Sequence, residues 1–164
     1  MRALSACAHE PEMHRFLRGA AHALCQTLAE NRELKSTQAS IPLEFYRTTL
    51  PNDVRSSWVF VLRPRHAYEA ERHPNSVQRM FALDGPGAME VWEGDAWRRH
   101  ELEASPRDGG LSLPTQTWHR PVILTRMWAV VSFHTVLATE LVEELGDPAK
   151  GGGVLASRHY QTAR

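Results

Sequence analysis

The stretch Glu71-Arg72-His73-Pro74-Asn75-Ser76-Val77-Gln78-Arg79-Met80-Phe81-Ala82-Leu83-Asp84-Gly85 decides how the chain is interpreted. Glu71 and His73 are two residues apart, so in an extended segment both side chains point to one face. The Pro-Asn-Ser group then turns or bulges the chain, which lets Gln78 rejoin the face that carries His73. Gln78, Met80 and Ala82 would then line one side of the next strand. The stretch therefore predicts a strand whose inner face carries polar side chains.

A second stretch, Gly110-Leu111-Ser112-Leu113-Pro114-Thr115-Gln116-Thr117-Trp118-His119-Arg120-Pro121, has a related character. A strand enters a turn marked by Pro114 and leaves it through an aromatic residue that is followed by His119. This order predicts a histidine near the start of a strand.

Together the two stretches resemble the two motifs of the cupin superfamily, which are small RmlC-like β-barrels with a single domain. The first motif of that family runs His-x-His, three or four residues, Glu, six residues, Gly, and Glu71-x-His73, four residues, Gln78, six residues, Gly85 keeps this spacing. The second contains Pro-x-Gly-x-x-His, and Pro114-x-Gln116-x-x-His119 keeps its proline and histidine. The resemblance covers about residues 56 to 136.

The resemblance implies one divalent metal ion inside the barrel, with Fe, Mn, Ni and Zn as the candidates. Its ligands would be His73 and His119, with Glu71 in the place of the first histidine and Gln78 in the place of the glutamate. Two imidazoles and one carboxylate form the facial set that non-heme iron enzymes use. Gln78 would offer a neutral carbonyl oxygen, which is a poor ligand. Each histidine taken alone also fits a structural role, and that alternative stays open.

Three further residues are expected to line the pocket of the barrel. Trp118 adjoins His119, and Met80 lies on the predicted inner face. His134 belongs to an alternating run, 128–134, whose second set of side chains can face a cavity. A histidine at a strand end held by a hydrogen bond is the competing interpretation of His134.

The rest of the chain predicts a mainly β fold, a jelly-roll β-barrel with an N-terminal α-helix and a short C-terminal helix. Short β-rich runs separated by turn residues follow Pro42, at 58–62, 78–83, 88–92, 96–102, 110–113, 122–125 and 128–135. Apolar residues at helical spacing predict a helix from Pro11 to Lys35, followed by a polar connector, 36–40. A second, short helix is expected from Ala138 to Leu145.

These patterns divide the chain into an N-terminal helical extension at 1–40, a barrel domain at 41–146 and a flexible tail at 147–164. Pro106 to Gly110 is expected to form one of the turns between strands. The N-terminal helix is expected to pack on the barrel or on a second copy of the chain.

Composition excludes several classes of function for this chain of 164 residues. Lys and Arg number 19, as do Asp and Glu, and a net charge of zero is untypical of a protein that binds nucleic acid through its phosphates. No apolar run approaches the roughly 18 residues that span a bilayer, so no membrane association is expected. The two cysteines do not form a disulfide framework, and Leu4 to Cys7 lacks the apolar stretch of a secretory signal. A cytoplasmic protein is expected.

Three hypotheses about function remain, and the sequence does not decide whether the chain is an enzyme. The first is a metal-dependent cupin enzyme of dioxygenase or isomerase type that acts on a small organic molecule. The second is a metal-free sugar-nucleotide ketoisomerase or epimerase, in which His73 or His119 is a general base and Arg79 or Arg120 contacts a phosphate. The third is a non-catalytic module that binds a small molecule. A homodimer is expected from the family resemblance.

Overall fold

Two antiparallel sheets form the body of the protein in a computed structural model, which describes residues 1–46, 50–105, 109–151 and 153–159. The helices are α1 (Arg2–Ala8) and α2 (Pro11–Glu30), and 3-10 turns lie at Leu43–Phe45 and Pro148–Lys150. The strands are β1 (Ser36–Ser40), β2 (Ser56–Leu62), β3 (Ala70–Arg72), β4 (Gln78–Asp84), β5 (Gly87–Trp92), β6 (Trp97–Leu102), β7 (Leu111–Leu113), β8 (His119–Val122), β9 (Trp128–His134), β10 (Val142–Gly146) and β11 (Val154–His159). Sheet A has the order β1-β2-β9-β4-β7, and sheet B has the order β11-β10-β3-β8-β5-β6.

Sheet A is buried on both faces, and strand β9 illustrates why. All seven residues of β9 are buried. Val131 and Phe133 pack in a core cluster with side chains of α2, whereas Trp128 and Val130 pack in a second cluster with Met89 and other residues of sheet B. The two-residue period of a strand thus places one set of side chains under the helix and the other between the sheets.

Helix α2 covers the outer face of sheet A. Pro11 occupies its first turn, and the Glu10 carboxylate caps it by accepting a hydrogen bond from the Met13 amide at 2.8 Å. Four buried residues at helical spacing face the sheet: Met13, Leu17, Ala21 and Leu28. The described residues contain no helix that is both long and apolar enough to cross a membrane.

The predicted helix from Pro11 to Lys35 ends earlier, at Glu30, and the predicted connector at 36–40 is strand β1. Its sequence is polar, but all five residues pair in register with β2, from Ser36 opposite Leu62 to Ser40 opposite Trp58. An edge strand has one side open to water, so it does not need the apolar composition by which the other strands were recognised.

The predicted C-terminal helix from Ala138 to Leu145 is wrong, because the second half of this segment belongs to strand β10. β10 pairs on one side with β3 and on the other with β11, so its backbone groups are satisfied by neighbours rather than within a helical turn. The ion pair between Arg72 and Glu144, 2.7 Å long, joins adjacent strands at this point. The run predicted at 122–125 is likewise displaced, since β8 is His119–Val122.

The division into an extension, a barrel domain and a tail stays a prediction. β1 and β11 both pair with strands of the segment 41–146. Residues 106–108 of the turn expected at Pro106 to Gly110 lie outside the described residues. The same is true of residues 152 and 160–164 of the expected tail.

Candidate metal centre

Glu71, His73 and His119 converge between the two sheets. Glu71 on β3 lies directly opposite His119 on β8, and 3.4 Å separates Glu71 Oε1 from His119 Nε2. His73 follows β3, and its ring centroid lies 5.5 Å from that of His119. One ligand atom from each of the three residues lies within 4.8 Å of the others. A single ion could therefore contact all three after small side-chain adjustments.

Backbone carbonyls fix the protons of both histidine rings. His73 Nδ1 donates to the Val142 oxygen at 3.0 Å, and His119 Nδ1 donates to the Thr117 oxygen at 2.9 Å. Because a carbonyl oxygen can only accept, each Nδ1 carries hydrogen and each neutral ring keeps its lone pair on Nε2. This is the orientation of metal-binding histidines, which donate their second nitrogen to a carbonyl or carboxylate.

His119 Nε2 is buried and makes no hydrogen bond to any described residue. A buried nitrogen without a hydrogen bond costs free energy unless another group, such as a metal ion, satisfies its lone pair. The donor set of two imidazole nitrogens and one carboxylate oxygen therefore fits a divalent transition metal.

The histidines are kept neutral by their surroundings. Burial lowers the pKa of His73 to about 4, and the neighbouring His119 acts in the same direction. Burial also lowers the pKa of His119 to about 4. Burial raises the pKa of Glu71, while its hydrogen bond to Glu143 and the charge of Arg158 act against that rise. Neutral imidazoles are the form that binds metal, so the two rings are ready as ligands at neutral pH.

Two residues of this centre were not anticipated from the sequence, Glu143 and Arg158. Glu143 on β10 is fully buried, and its Oε1 accepts from Arg158 Nε on β11 at 2.6 Å and also contacts Arg158 Nη2. Both were missed because the segment of Glu143 was assigned to a helix and that of Arg158 to a tail. The run Val142-Glu143-Glu144-Leu145-Gly146 does not alternate between apolar and polar residues, so it carries no local signal of a strand.

His134, expected as a pocket residue, lies beside His73. The two rings meet edge to face with centroids 5.1 Å apart. Its ring nitrogens contact two serine hydroxyls, Ser76 Oγ at 3.3 Å from Nδ1 and Ser132 Oγ at 3.2 Å from Nε2. Burial holds the pKa of His134 well below its ordinary value. Since both nitrogens already have partners, His134 supports the centre as a neutral neighbour of His73.

Gln78 and Met80 lie on the inner side of β4. Gln78 pairs in register with His134, and its buried Oε1 makes no hydrogen bond to any described residue. Met80 packs in the cluster between the sheets. Gln78 is therefore next to the convergence of the histidines, and its role as a ligand stays a prediction.

Trp118 is buried next to His119, and its expected role in the pocket stays a prediction. Its ring packs against the guanidinium of Arg72, 4.6 Å from the centroid, and approaches Gly146. Arg72 alternates with Glu71 along β3 and so faces the outside of sheet B.

A cavity of about 220 Å³ opens beside Glu71. Strands from the open edges of both sheets contribute to it, and its lining residues are Lys35, Ser36, Gln38, Phe60, Leu62, Tyr68, Glu69, Glu71, Pro121, Leu145 and Arg158. Its position gives a small molecule access to the Glu71 carboxylate.

No protein-family model matches the chain, and no curated protein matches it. Among solved structures it is similar to CapF with the inhibitor 3-isopropenyl-tropolone, with a TM-score of 0.51 and 10% identity over 65% of this chain and 30% of that one. It is also similar to the capsular polysaccharide assembling protein CapF from Staphylococcus aureus, with a TM-score of 0.50 and 10% identity over 63% of this chain and 29% of that one. A recombinant oxalate oxidase in complex with glycolate gives a TM-score of 0.48 and 12% identity over 62% of this chain and 51% of that one.

The chain spans less than a third of the length of either CapF chain. Likeness at such low identity concerns the fold alone, and it confirms the mainly β jelly-roll architecture that the two motifs predict.

Proposed function

Because the chain has the fold of the cupin superfamily, we propose that its barrel binds a small organic molecule next to one divalent transition metal ion held by Glu71, His73 and His119. The observation that carries the proposal is the convergence of the three residues, with ligand atoms within 4.8 Å of one another. The backbone carbonyls that fix both imidazoles support it further. When bound, the ion would act as a Lewis acid on an oxygen of the ligand, which suits an oxidoreductase or an isomerase.

Metal analysis of the purified protein tests this proposal. The wild type is incubated with Fe(II), Mn(II), Ni(II) or Zn(II) and then desalted. Inductively coupled plasma mass spectrometry is expected to find one metal ion per protein chain. His119→Ala should lose it while keeping its circular dichroism spectrum. His22→Ala, which alters an exposed histidine of α2, is the matched control and should bind metal as the wild type does. A folded wild type that retains none of the four metals would overturn the proposal.

A metal-free proton-transfer enzyme is the second candidate, and one observation favours it. Burial raises the pKa of Glu71 and lowers that of His119, and 3.4 Å separates the Glu71 carboxyl oxygen Oε1 from the His119 nitrogen Nε2, which is close to the reach needed for proton transfer between them. The arginines expected to contact a phosphate weigh against a sugar-nucleotide substrate, since Arg79 pairs with Asp53 and Arg120 with Glu90. Thermal-shift screening of the metal-free protein with nucleotide sugars, keto acids and aromatic compounds identifies a ligand, and conversion of that ligand separates this candidate from a non-catalytic binding module.

A homodimer completes the proposal. Helix α2 covers sheet A, whereas the outer face of sheet B carries the half-buried pair Trp92 and Trp97, whose rings lie 5.3 Å apart. Aromatic side chains are enriched at protein interfaces, and the net charge of zero does not oppose association. Light scattering coupled to size exclusion is expected to give twice the chain mass of 18.6 kDa, and a monomer at micromolar concentration would contradict it.

A further inference from the structure

Another cavity lies outside the barrel, between helix α2 and the outer face of sheet A, and we call it the helix cavity. Its volume is about 370 Å³, within the range of roughly 300–1,000 Å³ that is usual for sites of small organic molecules. Two small buried residues line it, Ala21 on α2 and Ala129 on β9, in a core cluster that elsewhere contains larger side chains. Together with Met127 they give the helix cavity apolar surface.

Charged side chains lie at the edge of the helix cavity. Nη2 of Arg18 donates to Asp84 Oδ2 at 3.3 Å, and Nη2 of Arg126 lies 3.9 Å from Asp84 Oδ1. The longer distance is beyond the reach of a hydrogen bond. All three side chains are more than half exposed. The N–H donors of the Arg126 guanidinium are therefore available to a ligand.

A bulge in β4 brings the Asp84 carboxylate to this side of the sheet. Leu83 packs on the side of α2 and Ala82 between the sheets, so strict alternation would turn Asp84 between the sheets as well. The register between β4 and β9 shifts between Ala82 and Asp84, and Asp84 pairs with Ala129. Bulges re-aim side chains and are frequent next to active sites. Here the bulge places a carboxylate where it can orient the guanidinium of Arg18.

The charges at the edge of the helix cavity favour an anion. Arg18 and Arg126 carry one positive charge each, and the exposed Asp84 carboxylate balances one of them. His22, which also lines the cavity, adds no negative charge. Ion pairs between exposed side chains contribute little free energy, so Asp84 does not hold either guanidinium firmly. An anionic group between the two would accept charge-assisted hydrogen bonds, which are about twice as strong as neutral ones.

We propose that the helix cavity binds a small organic anion, with its anionic group between Arg18 and Arg126 and its apolar part against Ala21, Met127 and Ala129. Carboxylic acids and phosphate monoesters both have this chemistry. Sheet A separates the helix cavity from the metal centre, so the two proposals are independent of each other.

Alkylation of Cys25 reports whether the helix cavity is occupied, because this half-buried thiol lines it. Burial and the charge of Asp84 raise the pKa of the Cys25 thiol, so the full chain is treated with N-ethylmaleimide in mildly alkaline buffer. Peptide mass spectrometry then locates the adduct, and the buried Cys7 is the internal reference. A bound ligand is expected to slow the reaction of Cys25.

Matched anionic and neutral probes test the chemistry of the ligand. Benzoate, octanoate and phenyl phosphate are compared with benzamide, octanamide and phenol. At least one anion is expected to protect Cys25, and its neutral counterpart should require at least about a tenfold higher concentration. Inorganic phosphate, which has no apolar part, should protect more weakly than that anion. Protection by benzoate or octanoate identifies a carboxylate as the anionic group, and protection by phenyl phosphate alone identifies a phosphate.

Arg18→Gln and Arg126→Gln are each expected to raise the concentration needed for protection about tenfold, because each removes one guanidinium. Arg15→Gln removes the same charge from an exposed position of α2 and is the matched control, which should behave as the wild type does. Circular dichroism spectra verify that the variants are folded.

Three results would overturn the assignment. They are failure of all three anions to protect Cys25, equal protection by the neutral compounds, and an equal loss of protection in Arg15→Gln. None of them depends on the metal content of the protein, so the proposed function of the barrel would stand or fall separately.

Discussion

Glu71 and His119 face each other across strands β3 and β8, with 3.4 Å between the carboxylate oxygen Oε1 and the imidazole nitrogen Nε2. A strand pair fixes this approach, because residues directly opposite in a sheet have their Cβ atoms about 5 Å apart. The two side chains are therefore brought together by backbone hydrogen bonds rather than by a mobile loop. His73 joins them through the segment that follows β3.

The buried histidines predict that the metal-free protein loses stability in acid. In the unfolded chain His73 and His119 take up protons near their ordinary pKa of 6.5, but in the folded chain only near pH 4. Between these values the unfolded state binds more protons, so the free energy of unfolding falls as the pH falls. Each shift corresponds to about 3 kcal/mol. Urea unfolding of metal-free protein from pH 8 to pH 4 measures this loss, and constant stability over that range would contradict it.

Glu71→Gln is expected to make that pH dependence steeper. The raised pKa of Glu71 means that the folded state holds a proton above pH 4.5 that the unfolded state has released. This contribution weakens folding as the pH rises and opposes the effect of the histidines. A variant with glutamine lacks it, so its stability should rise more sharply above pH 4.5 in the same urea titration. Glu69→Gln, two residues earlier in the chain, is the matched control and should follow the wild type.

Gln78→Glu is expected to strengthen metal binding and to weaken the metal-free fold. Gln78 pairs with His134, whose ring lies 5.1 Å from that of His73, and its Oε1 has no hydrogen bond among the described residues. A carboxylate there adds an anionic oxygen to the ligand set but is costly to bury without a cation. We expect roughly tenfold tighter Zn(II) binding by competition with a chelating dye. Gln26→Glu on exposed helix surface should leave the affinity unchanged, and equal affinities of both variants would remove Gln78 from the centre.

Gly87→Ala tests the packing between the sheets. A Cβ atom at this position would lie 2.2 Å from Cδ2 of Trp128, whose side chain is fully buried. The tryptophan cannot move away freely, so the substitution is expected to destabilise the fold by about 1–3 kcal/mol. Gly19→Ala, on helix α2 with no atom within 4 Å of the new Cβ, should instead stabilise it by about 0.5–1 kcal/mol. Urea denaturation of both variants gives the comparison, and similar values for the two would contradict it.

Leu17→Ala tests whether α2 is part of the folded domain. Leu17 is fully buried against sheet A, so its truncation is expected to cost about 2–5 kcal/mol. The neighbouring Phe16 is 43% exposed and contacts only the ring of Phe45 among the aromatic side chains described, so Phe16→Ala should cost less than Leu17→Ala, about 0.5–1.5 kcal/mol, despite removing a larger side chain. Loss of stability in Phe16→Ala alone would indicate that the exposed face of the helix is the one that packs.

Motif spacing was sufficient to predict the architecture and the convergence of three residues that are distant in the chain. The positions of Glu71, His73 and His119 follow from strand alternation and from the resemblance, and the structure brings them together. β2, β4 and β9 were recognised because their apolar residues contact both the helix and the second sheet, and β5 because Met89 and Val91 pack in the cluster between the sheets.

The parts that could not be predicted have little apolar signal of their own. β1 is an edge strand of polar composition, β11 is an edge strand whose residues are all exposed, and β10 has a composition that suits a helix equally well. Pairing with neighbours determines these strands, and a single sequence contains no direct record of pairing. Glu143 and Arg158 were missed for the same reason.

The covering of sheet A by helix α2 makes the two walls of the barrel unequal in their resistance to thermal opening. β2, β4 and β9 are packed on both faces, whereas β3, β8 and β10 have one face without a helix, and β11 ends their sheet as an exposed edge. Local unfolding begins where buried contacts are few, so it is expected to start at β11 and proceed through β10 towards Glu71 and His119. The residues that would hold the ion thus lie on the wall that fluctuates first, and a bound metal that bridges β3 and β8 would suppress that motion directly.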